Sequence, residues 1–149
     1  MATIRVEHSV AIPGQPDRVF RAASDPFRQL EWDQGGMQRV EALTDGELRK
    51  GARYRGTFKG MGTVEYEFSE FEPNSRFVHV ARIPLGVIRH TFMFSATPEG
   101  TRMTQVGELA PNALGRVAAP FMRKRLARRF AEVGNRLRRY LYAGGGHAA

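Results

Sequence analysis

Polar and apolar positions along this chain follow two rhythms. Residues 3–12 alternate, with Ile4, Val6, His8, Val10 and Ile12 on one face and Arg5, Glu7 and Ser9 on the other. That is the period of a half-buried strand. Alternation returns at Met37 and runs to Leu109, giving predicted strands at 37–43, 52–59, 62–71, 76–83, 87–97 and 101–109. Turn-forming residues separate them: Asp45-Gly46, Gly60-Met61-Gly62, Pro73-Asn74-Ser75, Pro84-Leu85-Gly86 and Pro98-Glu99-Gly100. Such spacing predicts an antiparallel meander.

Helical rhythm appears in two places. After the break at Pro13-Gly14, Pro16-Asp17 opens a short helix with Val19, Phe20 and Ala23 on one face; Asp25-Pro26 stops it, and 27–32 makes one more short helix or turn before Gly35-Gly36. The second place is 111–142, where Leu114, Val117, Phe121, Met122, Leu126, Phe130, Val133, Leu137, Tyr140 and Leu141 form an apolar stripe. Asn112 is a suitable N-cap, and Gly144 to Gly146 end the helix. Pro120 predicts a kink or a short helix handing over to a longer one.

The order is strand, two short helices, six strands, long helix. It predicts an α+β fold in which a curved seven-stranded antiparallel sheet wraps around the C-terminal helix and leaves a cavity between them. Residues 1–143 read as one domain and 144–149 as a flexible tail.

Composition changes this picture little and charge changes it once. The chain has 149 residues and no cysteine, which excludes disulfides, thiolate metal sites and cysteine nucleophiles. It shows neither a signal-like N-terminal apolar run nor a membrane-spanning one, so a cytoplasmic protein is the expectation. Net charge is +8, and the last helix holds nine of the 23 basic residues against one of the 15 acidic ones, leaving the rest neutral. The basicity is therefore one helix back, either solvated or facing an anionic membrane. No aromatics interleave with it, so no nucleic acid is expected.

Several short motifs in order resemble a known family: Ile12-Pro13 ending a strand, Pro16-Asp17-Arg18-Val19-Phe20 opening a helix, Asp25-Pro26 with Trp32-Asp33, Gly62-Thr63-Val64 leading to Glu70-Phe71-Glu72-Pro73, and the Gly100-Thr101-Arg102-Met103-Thr104 hairpin before the long helix. In this order and spacing the chain resembles the SRPBCC superfamily, with the helix-grip fold of START lipid-transfer domains and birch-pollen-type allergens, and within it the polyketide cyclase/dehydrase group. The resemblance implies a hydrophobic cavity for small apolar ligands. It spans cyclases, carriers, hormone receptors and co-chaperones, so it does not choose a function.

No nucleophile elbow, phosphate loop or zinc motif is present. The residues with chemistry to offer are His8, His79, His90 and Tyr66. Each histidine shares a strand face with apolar residues, and each is either a hydrogen-bonded core residue or a general acid/base or ligand contact. Tyr54 and Tyr66 could orient a polar ligand group, and Arg82 and Arg89 flank the Pro84-Leu85-Gly86 turn, solvated or meeting an anionic ligand group at the cavity mouth. Glu65 and Glu67 face the solvent side. The expected cavity lining is Trp32, Phe68, Phe92, Phe94, Met103, Phe121, Met122 and Phe130, where Trp32 is a pocket wall or plain core. No metal and no cofactor are expected. These residues suit a protein that binds a small hydrophobic molecule, either as a polyketide cyclase/aromatase or as a non-catalytic lipid or quinone carrier touching anionic membrane through its basic helix. Buried polar groups in the cavity favour the first, a wholly apolar cavity the second.

Overall fold

A computed structural model of the chain describes residues 3–145. The elements run β1 (Ile4–Ile12), α1 (Pro16–Ser24), α2 (Pro26–Trp32), β2 (Met37–Ala42), β3 (Arg53–Phe58), β4 (Gly62–Glu72), β5 (Arg76–Ile83), β6 (Gly86–Thr97), β7 (Gly100–Pro111) and α3 (Ala113–Tyr140). All seven strands join one antiparallel sheet in the order β1-β7-β6-β5-β4-β3-β2. Only the β1–β7 pairing is non-sequential; α1 and α2 lie on the crossover from β1 to β2. This is the helix-grip arrangement.

Local chemistry accounts for the boundaries. Asp25 caps α2 by accepting from the Phe27 N–H at 2.9 Å, and Asn112 caps α3 by accepting from Gly115 N–H at 2.9 Å. Pro120 removes one donor from the α3 ladder, yet the helix runs unbroken through it. A π-helical turn, Leu141–Gly145, follows α3. Of the tail expected from 144, residues 146–149 lie outside the described residues.

The concave face collects Phe20 of α1 with Phe71, Phe77 and Phe94, whose rings meet Phe20 at 5.3–5.6 Å between centroids. Phe71 reaches this face because β4 bulges between Phe68 and Glu70, shifting the alternation by one. The helix α3 lies across β1 and β7, burying Leu126, Phe130, Val133 and Leu137. In its first two turns only Gly115 is buried. Leu114, Val117 and Phe121 are exposed, so Phe121 is not the cavity floor expected of it. The physical reason is a step of one residue. Phe121 and Met122 are neighbours, about 100° apart around the helix, so the apolar residues before and after that point belong to different faces.

Candidate functional site

Because α3 sits over β1 and β7, the concave face of β4, β5 and β6 remains open beneath its edge. The space there has an inner lobe of about 110 Å³ and an outer lobe of about 540 Å³. They share Phe58, Met61, Ile83, Ile88, Leu126 and Arg129, so they are successive compartments of one cavity. The inner one is walled by Val64, Ala81, Phe92, Phe130 and Val133, with Tyr66, His79 and His90 as polar groups on the sheet and Gln29 and Arg129 on the helices.

Sheet register places those polar groups. Phe68, His79, His90, Gly107 and Val6 form one row across five strands. Gly107 leaves the gap that the Phe130 ring fills: a Cβ at Gly107 would overlap that ring. Phe130 in turn stacks on the His90 ring at 4.2 Å with an 11° tilt. The Gln105 amide is oriented by donating from Nε2 to the Phe130 carbonyl at 2.9 Å. Its Oε1 must therefore accept, and the His90 Nε2 at 3.0 Å carries the proton. Burial, reinforced by the neighbouring His79 and opposed by Gln105, holds His90 well below the usual imidazole pKa.

His79 is different. It packs among Phe68, Tyr66 and Phe77, with ring centroids at 4.5, 4.8 and 5.2 Å, and burial lowers its pKa to about 3. Its Nε2 has no hydrogen-bond partner within the protein, nor has the Tyr66 hydroxyl beside it. Burial, with smaller contributions from Tyr54 and Asp25, raises the Tyr66 pKa, so the phenol stays protonated. Two buried polar atoms left unmatched are costly, about 1–3 kcal/mol each.

At the mouth stands an ion cluster. Asp33, at the C-terminal end of α2, is fully buried. Both its oxygens are held by Arg129 at 2.9 and 2.6 Å, with Arg136 at 3.0 Å and the Gln29 amide at 3.0 Å. Burial pulls its pKa upward, but the hydrogen bonds and charge of Arg129, with Gln29 and Arg136, outweigh that and keep it below the usual carboxylate value. Arg129 lines both lobes, and Lys59, Arg125, Arg128 and Arg136 surround the outer one against the single acid Glu132. The basic helix back, expected to be solvated or to face an anionic membrane, thus turns two arginines inward.

The expected site residues divide accordingly. Tyr66, His79, His90, Phe92 and Phe130 line the inner lobe, and Met122 lines the outer. His8 faces the helix side, not the cavity: it packs beneath Gly134 of α3, where an added Cβ would lie 3.0 Å from its Cε1. Trp32 is core, its Nε1 donating to the Ala22 carbonyl at 2.8 Å. Phe68, Phe94 and Met103 are buried in the core behind the wall. Arg89 points to the convex side, where it pairs with Glu70. Asp33, Gln29, Gln105, Arg129 and Arg136 had no place in the sequence reading of the site. One signal for the arginines was present: Arg129 and Arg136 interrupt the row Met122, Leu126, Val133 and Tyr140 at helical spacing. Among the described residues, no three histidines, aspartates or glutamates come together as a metal site.

A family model described as polyketide cyclase / dehydrase and lipid transport matches residues 3–142. No curated protein matches the chain. Among solved structures, protein SA2116 from Staphylococcus aureus superposes with a TM-score of 0.75 at 12% identity, over 97% of this chain and 96% of that one. The protein Ara h 8.0201 gives 0.73 at 10% identity over 95% and 99%. DynU16, from the dynemicin biosynthetic locus, gives 0.71 at 23% identity over 95% of this chain and 48% of that one. At these identities the likeness is one of fold.

Proposed function

The chain belongs to the polyketide cyclase / dehydrase and lipid transport family, and on that premise we propose that it binds a small, largely apolar molecule bearing a carbonyl or hydroxyl group. The observation that carries this reading is the pair of buried polar atoms without a hydrogen-bond partner, Tyr66 Oη and His79 Nε2, on residues that line one largely apolar cavity. The apolar body of the ligand fits against Val64, Ala81, Phe92 and Phe130, and its oxygen takes the Tyr66 proton as a hydrogen bond. The outer lobe alone falls in the range of about 300–1,000 Å³ usual for small-molecule sites. In a cyclase/aromatase version the walls hold a poly-β-ketone in a reactive fold, and Tyr66 stabilises the carbonyl oxygen as negative charge develops during aldol closure.

The depressed pKa of His79 favours a second reading, a non-catalytic lipid or quinone carrier. An imidazole whose conjugate acid has a pKa of about 3 is a weak base at neutral pH. It still forms a hydrogen bond. Native mass spectrometry of freshly purified protein, followed by incubation with the released ligand class, separates the two: a carrier returns its ligand unchanged, a cyclase returns it dehydrated. The binding reading itself is tested with Tyr66→Phe. This variant is expected to weaken a carbonyl ligand about three- to tenfold while leaving its hydrocarbon analogue unaffected. Its free form should be at least as stable as the parent in thermal melts, since a buried unpartnered hydroxyl is removed. Equal affinity of parent and variant for the carbonyl ligand would overturn the assignment.

A further inference from the structure

Leu114, Val117 and Phe121 are 59, 79 and 78% exposed. At spacings of three and four they lie on one side of the first turns of α3, the side turned away from Leu126, Val133 and Leu137, which bury against the sheet. Three adjacent large apolar side chains this exposed form a patch, not a scatter of single residues. The same side continues with Lys124, Arg125 and Arg128, and the last two line the outer lobe of the cavity. Arg125 also donates to the Gly60 carbonyl in the β3–β4 turn, whose Met61 is 42% exposed and lines both lobes. An apolar tip, a cationic collar and the cavity entrance are therefore contiguous.

Charge selects the occupant. Residues 113–131 contain six basic residues and no acidic one. A second copy docking on this patch across a two-fold axis would oppose like charges on both sides. We infer that the patch docks on an anionic phospholipid bilayer, with Phe121, Val117 and Leu114 entering the acyl boundary and Lys124, Arg125 and Arg128 meeting the headgroups. The cavity entrance then faces the bilayer surface, so an apolar ligand passes between lipid and protein without crossing water. That traffic rests on the ligand reading above; the docking is measured without ligand, so each can fail alone.

The test is flotation of the full chain with vesicles of phosphatidylcholine, alone or mixed with phosphatidylglycerol, at low salt. The wild type is expected to float with the anionic vesicles only. Val117→Asp with Phe121→Asp lowers net charge by two units, and so does Lys50→Glu on the exposed β2–β3 loop. The double variant is expected to lose about tenfold or more in vesicle affinity and Lys50→Glu to change it less than about twofold. A Phe121→Trp reporter in a Trp32→Phe background should blue-shift on anionic vesicles. Equal losses in the two charge-matched variants, no flotation of the wild type, or no blue shift would overturn the proposal. So would a dimer in light scattering that Val117→Asp with Phe121→Asp converts to monomer. Native mass spectrometry of the double variant reports ligand loading separately.

Discussion

Asp33 shows how one side chain organises a site without touching its apolar interior. It brings α2 to α3 by accepting from two arginines and Gln29, and it fixes Arg129 where the two lobes meet. Each arginine keeps some contact with solvent, with 22% of its side chain exposed, whereas the carboxylate has none. Replacing it with asparagine removes the anion from two partly buried cations and leaves only Arg136 a longer contact, 3.9 Å to Glu132. Asp33→Asn is expected to lower the urea midpoint, with stability reduced by about 3 kcal/mol and the m-value unchanged. An unchanged midpoint would mean that the arginines do not depend on it. This residue was quoted in the Trp32-Asp33 motif, but a motif shows neither burial nor partners. Its two arginines lie about a hundred residues away in sequence.

At the scale of elements, the strands were legible because alternation is local and turns punctuate it. Alternation also grouped His79 with Phe77 and His90 with Phe92, which is why both histidines were named from sequence, but it did not decide which face turns inward. The bulge in β4 and the change of face in α3 were harder. Both depend on a single residue step that periodicity averages over. The seat of α3 on the sheet depends on Gly107, which gives the Phe130 ring its place against His90. Gly107→Ala sets a methyl against a ring already stacked on the other side, so the ring cannot simply turn aside. The expected cost is about 1–3 kcal/mol, read as a lower thermal midpoint. Because Phe130 also walls the inner lobe, ligand affinity should fall as well. A variant with unaltered melting and binding would show that the helix shifts freely.

For the whole molecule, the buried imidazoles set the response to pH. The unfolded chain takes up protons near the ordinary imidazole value of 6.5, whereas folded His79 resists protonation down to about 3, and His90 is shifted in the same direction. Between those values the unfolded state binds more protons, so stability is full above pH 6.5 and falls as the pH drops. Each histidine contributes a slope of up to about 1.4 kcal/mol per pH unit. Asp33, whose folded pKa lies below its ordinary value of 3.8, adds a further loss only at lower pH as it protonates. Denaturant titrations at successive pH values should show this decline, and His79→Phe should flatten part of it. A flat profile from neutrality to pH 4 would contradict the burial of both rings.

Sequence by itself determined the element order, the antiparallel meander, the amphipathic terminal helix and the family resemblance, because each is written in local periodicity, turn chemistry or short motifs. It also set His79 and His90 on strand faces shared with apolar residues, without deciding that those faces turn inward. Only the tertiary structure decided which inward residues meet open space. His8 and Phe130 both lie where sheet and helix meet, yet the helix covers one and the other lines the cavity. That difference comes from where α3 rests on the curved sheet, over β1 and β7 and not over β4 to β6. The resting place is set by contacts between residues far apart in the chain, such as Gly107 with Phe130 and Asp33 with Arg129. No single stretch of sequence contains them.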